Sequence, residues 1–164
     1  MSAILKDPLL QMRPMQDVDV DALMPLEELA YDSPWSAGIF RDCLRVGYCC
    51  WLYTLDDQVV GYGVMSVAAG EAHILNLCIH PDHRGQGLGC RLLQRLLTLA
   101  GKHRADTVFL EVRASNRVAK RLYRLAGFNE IGLRRGYYPG KYGREDAVLL
   151  ALSLGSMEPG EGSW

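Results

Sequence analysis

Residues 75–89 carry the most informative chemistry of this 164-residue chain. They read LNLCIHPDHRGQGLG, an apolar stretch, then a glycine-rich turn, then the start of a leucine-rich stretch. Gly85, Gly87 and Gly89 have no Cβ, so the backbone there can approach a ligand closely. The free amides of the following helix would face that ligand, and the helix dipole favours negative charge. The segment therefore predicts an anion cradle, most naturally for a pyrophosphate. A turn needed only for tight strand–helix packing is the alternative.

Two familiar phosphate-binding patterns do not fit this segment. A P-loop needs Lys followed by Ser or Thr after its last glycine, and neither pair follows here. A dinucleotide-binding G-x-G-x-x-G pattern starting at Gly85 needs glycine at position 90, where this chain has Cys90. Neither pattern therefore explains the glycines.

Glu111 is a candidate general base because it interrupts the apolar run of residues 108–112. A carboxylate in such a strand is costly to desolvate, and burial would raise its pKa toward the range useful for proton transfer. The alternative is a strand-edge carboxylate paired with an arginine such as Arg113. The residues alone leave both interpretations open.

The other polar candidates have ordinary structural explanations. Tyr123 is typical of a half-buried core aromatic, and Asn116 of a helix N-cap. Cys78 lies in an apolar strand without an evident His or Asn partner, which favours a small buried hydrophobe over a nucleophile. The histidines share no helix face and have no spaced carboxylate, so no metal site is predicted for His73, His80 and His83.

Hydrophobic periodicity and turn residues predict alternating strands and helices around these positions. Asp17 and Ser36 are candidate N-caps, Asp56 and Asp57 form a tight turn, and Gly127 ends a helix. The predicted strands are residues 12–15, 49–55, 59–68, 71–80, 107–112, 128–135 and 147–154. The predicted helices are residues 17–30, 36–45, 87–103 and 115–126. Residues 136–143 are predicted to form a loop.

Composition predicts one ordinary globular domain over residues 1–154 and a disordered tail over 155–164. The N-terminus lacks a secretory signal, no apolar run could span a membrane, and the five cysteines form no C-x-x-C pair. A cytoplasmic location is therefore expected. Residues 1–80 hold four Lys/Arg against eleven Asp/Glu, and residues 81–164 hold fourteen against eight. This asymmetry is either chance or a basic half that receives an anionic cofactor. No nucleic-acid motif accompanies it.

The pattern R-x-x-G-x-G over residues 84–89, between a strand and a helix, resembles the pyrophosphate loop of the GCN5-related N-acetyltransferase (GNAT) superfamily. The resemblance implies an α/β fold with a mixed, mostly antiparallel sheet, flanked by helices and splayed at the cofactor site. It implies acetyl-CoA as co-substrate and no metal. It also implies that the cofactor-binding residues are Leu77, Cys78, Ile79, Arg84, Gly85, Gln86, Gly87, Leu88, Gly89, Cys90 and Asn116. Cys90 stands where the family frequently has a basic residue.

Five further segments are similar to the bacterial ribosomal-protein-alanine N-acetyltransferase family: PWS (34–36), LEVRASN (110–116), LYRLAGF (122–128), RRGYYP (134–139) and GREDA (143–147). By this resemblance Glu111 is the general base and Tyr123 the general acid. The amides of Leu77 and Cys78 would stabilise the oxyanion. The acceptor groove would contain Tyr31, Trp35 and Tyr138.

The implied reaction is direct acetyl transfer to a protein N-terminus, with the N-terminal alanine of a small-subunit ribosomal protein as the expected partner. Neither nucleic acid nor membrane is an expected partner. Two alternatives remain open. One is an acetyltransferase for a lysine side chain or a small-molecule amine. The other is a non-catalytic acyl-CoA-binding regulator, against which the presence of both Glu111 and Tyr123 argues.

Overall fold

The computed structural model describes residues 3–140 and 143–155, and within them seven strands form one sheet with four α-helices against it. The strands are β1 (Leu10–Pro14), β2 (Cys49–Leu55), β3 (Gln58–Ala68), β4 (Glu71–Ile79), β5 (Thr107–Arg113), β6 (Asn129–Gly140) and β7 (Gly143–Ser153). The helices are α1 (Val20–Ala30), α2 (Ala37–Arg45), α3 (Leu88–Lys102) and α4 (Arg117–Leu125). None of these described helices is both long enough and apolar enough to cross a membrane.

The sheet is mixed and mostly antiparallel, as the family resemblance implies. Its strand order is β1-β2-β3-β4-β5-β7-β6, and every neighbouring pair is antiparallel except β4 and β5. The parallel pair is also the shortest ladder of the central strands, joining residues 71–74 to residues 107–110. Two antiparallel halves therefore meet along one short parallel seam.

Beyond that seam β4 and β5 separate. β4 continues to Ile79 along β3, while β5 continues to Arg113 along β7. The separation begins at a β-bulge, because Ile74 pairs with Met65 and Asn76 with Val64, which leaves Leu75 as the extra residue. A bulge bends its strand and increases the local twist. The predicted splay is thus confirmed, and it opens a gap in the middle of the sheet.

Helices cover both faces of the sheet and carry most of the core. Helices α1 and α2 pack on one face around Phe40 and Tyr62, both fully buried. Helix α3 packs on the other face through a stripe at helical spacing, as its leucine pattern predicts. Each buried leucine contributes roughly 1.5–3 kcal/mol from the hydrophobic effect. The stripe consists of Leu88, Leu92, Leu93, Leu96 and Ala100.

Most predicted elements are confirmed within a few residues of their ends. Ser36 caps α2, its Oγ accepting from the Ile39 amide at 3.3 Å. Asp56 and Asp57 form the predicted β2–β3 turn, with φ of 50° and 63°. The prediction of Asp17 as the cap of one long helix is wrong. Residues Asp17–Asp19 form a separate 3₁₀ turn before α1, because the Asp19 carboxylate accepts from the Gln16 amide at 2.8 Å.

The predicted loop at 136–143 is also wrong. Strand β6 runs on to Gly140 and β7 begins at Gly143, so most of this segment is a long hairpin. A bulge between Arg134 and Tyr138, with Gly136 at a φ of +59°, breaks the alternation by which a strand is recognised. The predicted disordered tail lies outside the described residues, apart from Gly155.

An ion pair joins the first strand to the entrance of α1. Arg13 of β1 donates from Nη1 and Nη2 to the two carboxylate oxygens of Asp19, at 2.8 Å each. The hydrogen bonds from Arg13, together with that from the Gln16 amide, hold the pKa of Asp19 below its ordinary value despite burial. The Asp19 side chain is 12% exposed and that of Arg13 is 39% exposed, so solvent screens this pair only in part.

We expect Asp19→Asn to lower the free energy of unfolding by about 1–2 kcal/mol at pH 7. A carboxyl whose pKa is depressed by folding stabilises the protein above its unfolded pKa of about 3.9, and that contribution is lost as the pH falls through the folded pKa. The difference in free energy of unfolding between wild type and Asp19→Asn should therefore stay constant from pH 7 to about 5 and become smaller below about pH 4. Urea unfolding at a series of pH values measures this difference. A difference that is still constant at the lowest pH would contradict a lowered pKa for Asp19.

Candidate active site

The gap between β4 and β5 leads into a cavity of about 720 Å³. Its wall is formed by the loop after α1, the end of β4, the turn before α3, the end of β5, α4 and the end of β6. Every site residue selected from the sequence lines this cavity except Gln86. Residues more than 100 positions apart are thus gathered around one space.

The glycine-rich turn has the geometry of an anion cradle. Gly85 and Gly87 have φ of +75° and +88°, which non-glycine residues adopt at a cost. The first helical hydrogen bond of α3 runs from the Arg91 amide to the Gly87 carbonyl, at 3.1 Å. Among the described residues, none accepts a hydrogen bond from the six consecutive amides of residues 85–90. Six free donors at a helix N-terminus fit a pyrophosphate.

Along the end of β4, the backbone groups of successive residues point alternately toward β3 and toward the gap. The His80 amide donates to the Val60 carbonyl at 2.8 Å, so Cys78, two residues earlier, also directs its amide to β3. Leu77 and Ile79 face the gap instead. Their carbonyls there accept from the Tyr31 hydroxyl and from Arg84 Nε, at 3.2 Å each. The amides available at the gap are therefore those of Leu77 and Ile79, rather than that of Cys78.

The Cys78 side chain is a buried apolar group, as its sequence context predicts. It is 4% exposed and packs in the core beneath α1 and α2. Burial raises the pKa of its thiol to about 11. The thiol is therefore protonated at neutral pH, which is unfavourable for a nucleophile.

Glu111 lies at the end of β5 with its side chain 29% exposed, more open than its apolar neighbours predict. Its nearest cation is not Arg113 but Arg134 of β6, with Nη1 to Oε1 at 3.5 Å. Arg113 instead contacts Glu145 at 3.3 Å and stacks over the Tyr138 ring at 4.6 Å. The alternative of a carboxylate beside an arginine therefore holds, with Arg134 in place of Arg113 as the partner, and Glu111 also lines the cavity.

Tyr123 enters the cavity from α4. It is 6% exposed, and its ring meets that of Phe128 edge-on at 5.6 Å. Burial, and secondarily the proximity of Tyr138, raises the pKa of its hydroxyl well above the ordinary value. The hydroxyl therefore keeps its proton at neutral pH and is suited to donating one.

Asn116 has the structural role that the sequence predicts. Its Oδ1 accepts from the Ala119 amide at 3.1 Å and so caps α4. Its Nδ2 donates to no described residue and lies at the cavity wall. The cap therefore leaves one donor available to a ligand.

The three aromatic residues expected at an acceptor groove lie on two sides of the cavity. Tyr31 and Trp35 belong to the segment between α1 and α2, and Tyr138 belongs to β6. Burial, followed by the nearby Glu111 charge, raises the pKa of Tyr138 to about 12. Tyr138 and Glu111 therefore lie close together at the cavity wall.

A buried carboxylate next to the groove was missed by the sequence reasoning. Glu27 of α1 is 1% exposed and accepts hydrogen bonds from Tyr62, Asn76 and the Trp35 amide. In sequence it is one of two consecutive glutamates on an amphipathic helix, and only its place on the buried face with Leu23 and Leu26 distinguishes it.

The histidines do not converge on a common point. His73 stacks on Phe109 at 5.2 Å, while His80 and His83 face each other at 5.7 Å. Within residues 3–140 and 143–155, no group of three His, Cys, Asp or Glu is arranged to hold a metal ion.

Comparison with known proteins assigns these features to a family. Residues 16–128 match the model of the acetyltransferase (GNAT) family. The chain is 36% identical over 140 residues to the [ribosomal protein bS18]-alanine N-acetyltransferase of Escherichia coli K12, covering 85% of this chain and 95% of that protein. It is 35% identical over 137 residues to the protein of the same name from Haemophilus ducreyi, covering 83% and 94%.

A solved structure extends the likeness to the fold. The crystal structure of the ribosomal-protein-S18-alanine N-acetyltransferase from E. coli superposes with a TM-score of 0.84 at 34% identity, covering 94% of this chain and 99% of that chain. Ard1 from Thermoplasma volcanium shares the fold at a TM-score of 0.81, with 23% identity.

We expect Gly87→Val to weaken binding of coenzyme A by about 10–100-fold, because the substitution disturbs the free amides that would hold a pyrophosphate. The matched control is Gly47→Val at the end of α2. Gly47 has a φ of +84°, and a Cβ at this position would have no heavy atom within 4 Å, so the control carries similar backbone strain away from the cavity.

Calorimetric titration with coenzyme A, together with thermal melts, separates damage to the cradle from the general effect of backbone strain. Both variants should melt at a lower temperature, and only Gly87→Val should lose affinity. Wild-type affinity in Gly87→Val would mean that the cradle lies elsewhere, and an equal loss in both variants would mean that strain alone is responsible.

Proposed function

The chain belongs to the acetyltransferase (GNAT) family, and from that membership we propose that it transfers the acetyl group of acetyl-CoA to the N-terminal amine of a protein. The acceptor we propose is the N-terminal alanine of a small-subunit ribosomal protein. The support is that the chain is 34–36% identical to relatives named [ribosomal protein bS18]-alanine N-acetyltransferase and covers 93–95% of their length.

One observation carries the proposal: one cavity is lined by the glycine-rich turn before α3, the open edge of β4, Glu111, Tyr123 and the three aromatic residues. An anion cradle alone would suit a binding protein. A proton acceptor and a proton donor on opposite elements of the same cavity suit acyl transfer between two bound molecules.

Acetyl-CoA, when bound, supplies an activated thioester carbonyl and a thiolate leaving group. Residues 85–90 would hold its pyrophosphate, with Arg84 beside them. The gap-facing backbone of Leu77 and Ile79 would bind its arm, and the Asn116 Nδ2 would give a further donor. The Leu77 amide is also the candidate to donate toward the carbonyl oxygen as negative charge develops there.

Proton transfer is assigned to two side chains that line the same cavity, one on β5 and one on α4. Glu111 would accept a proton from the acceptor ammonium, directly or through one water, and so free the amine for attack. Tyr123, whose hydroxyl stays protonated, would donate its proton to the departing sulfur. The transfer we propose is direct and passes through no acyl-enzyme on Cys78, because that thiol is buried and protonated.

The aromatic side chains would orient the acceptor. Tyr31 and Trp35 in the segment after α1 and Tyr138 on β6 line the part of the cavity assigned to the acceptor, the acceptor slot. Their rings would pack against the main chain of an extended acceptor. The acceptor ammonium would then replace Arg134 beside Glu111.

Mass spectrometry on a small set of acceptors tests the proposed function. The set consists of an Ala-first peptide with an internal lysine, the same peptide with a blocked N-terminus, and a polyamine, each incubated with enzyme and acetyl-CoA. We expect acetylation of the free N-terminus only. Modification confined to lysine or the polyamine would refute the acceptor class, and binding of acetyl-CoA without any product would refute catalysis.

We expect Glu111→Gln to lower kcat by about 10²–10⁴-fold while the Kd for acetyl-CoA stays within about twofold, since a general base acts on the acceptor and not on the cofactor. Glu130→Gln is the control, because Glu130 is an exposed β6 carboxylate beside Arg124. Steady-state rates across pH provide the measurement. A variant that keeps the wild-type pH–rate profile would remove Glu111 from this role.

A further inference from the structure

Glu27 is a carboxylate enclosed in the protein wall behind the acceptor slot. It is 1% exposed and accepts three hydrogen bonds. Oε1 accepts from the Tyr62 hydroxyl at 2.7 Å and from Asn76 Nδ2 at 3.0 Å. Oε2 accepts from the Trp35 amide at 2.9 Å. All three partners are donors, so the site requires a group that only accepts, which a carboxylate provides.

The three donors come from three different parts of the fold. Trp35 belongs to the segment between α1 and α2, Tyr62 to β3, and Asn76 to β4 immediately after the bulge. A buried polar group is costly unless it is fully paired, so moving any one of these parts away from Glu27 is penalised. Glu27 thus fixes the distance between the acceptor segment and the open strand.

Asn76 extends the network to the backbone at the gap. Its Nδ2 donates to Glu27, which leaves its Oδ1 to accept from the Tyr31 hydroxyl at 2.9 Å. The same hydroxyl lies 3.2 Å from the Leu77 carbonyl, one of the backbone groups that face the gap. The path from Trp35 through Glu27, Asn76 and Tyr31 therefore ends on the strand assigned to the cofactor arm.

Helix α1 does not need this network to stay attached. Its apolar side, Val20, Leu23 and Leu26, is already buried against the sheet. An apolar residue at position 27 would continue that contact without the cost of burying a carboxylate. The polar network instead fixes the orientation of Trp35 and Tyr31 relative to β4, because a hydrogen bond is sensitive to the angle between the groups it joins.

We propose that Glu27 is a positioning residue for the acceptor: it holds Tyr31 and Trp35 in register with the Leu77 backbone, so that an incoming N-terminus meets the acetyl donor correctly. The proposal rests on the proposed function for the identity of the acceptor. It assigns to Glu27 no contact with the reacting atoms.

Glu27→Gln separates this role from bulk packing because glutamine has nearly the same shape. Its one amide oxygen can still accept from Tyr62 and Asn76, but its Nε2 then meets the Trp35 amide, donor against donor. The substitution therefore releases the acceptor segment at Trp35 and spares the two bonds to the sheet. Glu28→Gln is the matched control, since Glu28 is the next residue on α1, is exposed and does not line the cavity.

The experiment combines hydrogen exchange with steady-state kinetics on an Ala-first peptide that has no charged side chains. In Glu27→Gln we expect exchange of the Trp35 amide to accelerate about tenfold or more and KM for the peptide to rise about tenfold. The Kd for acetyl-CoA should stay within about twofold, because the cradle of residues 85–90 is untouched. Glu28→Gln should behave as wild type in all three measurements.

Tyr31→Phe is the second variant, which removes one hydroxyl and keeps the ring. It should also raise peptide KM and leave the Kd for acetyl-CoA unchanged, even if Glu27→Gln folds poorly. An unchanged KM in Tyr31→Phe, or faster Trp35 exchange with an unchanged KM in Glu27→Gln, would overturn the proposal. A wild-type enzyme that acetylates no N-terminus would instead refute the proposed function, and that result is read before any variant is compared.

Discussion

The separation of β4 from β5 after Ile74 and Leu110 is the constraint on which the rest of the structure depends. Two strands that leave each other inside a sheet expose backbone groups that must find partners elsewhere. On β5 the other edge stays paired with β7, and on β4 the other edge stays paired with β3. The exposed edges therefore face only the gap, where the amides of Leu77 and Ile79 are available to an extended molecule.

The surrounding elements serve this gap by supplying different chemistry from different directions. Helix α3 directs its N-terminus there, with six free amides, while α4 brings the protonated hydroxyl of Tyr123. Strand β5 brings Glu111, and the segment between α1 and α2 brings aromatic surface. Each of these elements reaches the open strand only from its present position, and the role proposed for the Glu27 network is to hold the segment between α1 and α2 in that position.

Local signals allowed most of the fold and site to be predicted, and long-range pairing accounts for what was missed. Ser36 as a cap, the leucine stripe of α3 and the glycines before it are each visible within a few residues of sequence. The partner of Glu111 was not, because Arg134 lies 23 positions away and reaches it only through the register of β6 on β7. Glu27 was missed for a related reason, since its donors come from β3, β4 and a loop.

The bulge in β6 has a consequence for the length of the hairpin. Arg134 opposes Ala147 and Tyr138 opposes Glu145, so three residues of β6 stand against one residue of β7. Ala147 and Glu145 are two positions apart on β7 and so lie on one face of the ribbon, which places Arg134 and Tyr138 on that face as well. A two-residue deletion within 135–137 would give a regular ladder, and a one-residue deletion would leave an ordinary β-bulge with two residues against one. The pairing of Tyr138 with Glu145 is kept in both cases, so this part of the hairpin can absorb small changes in length.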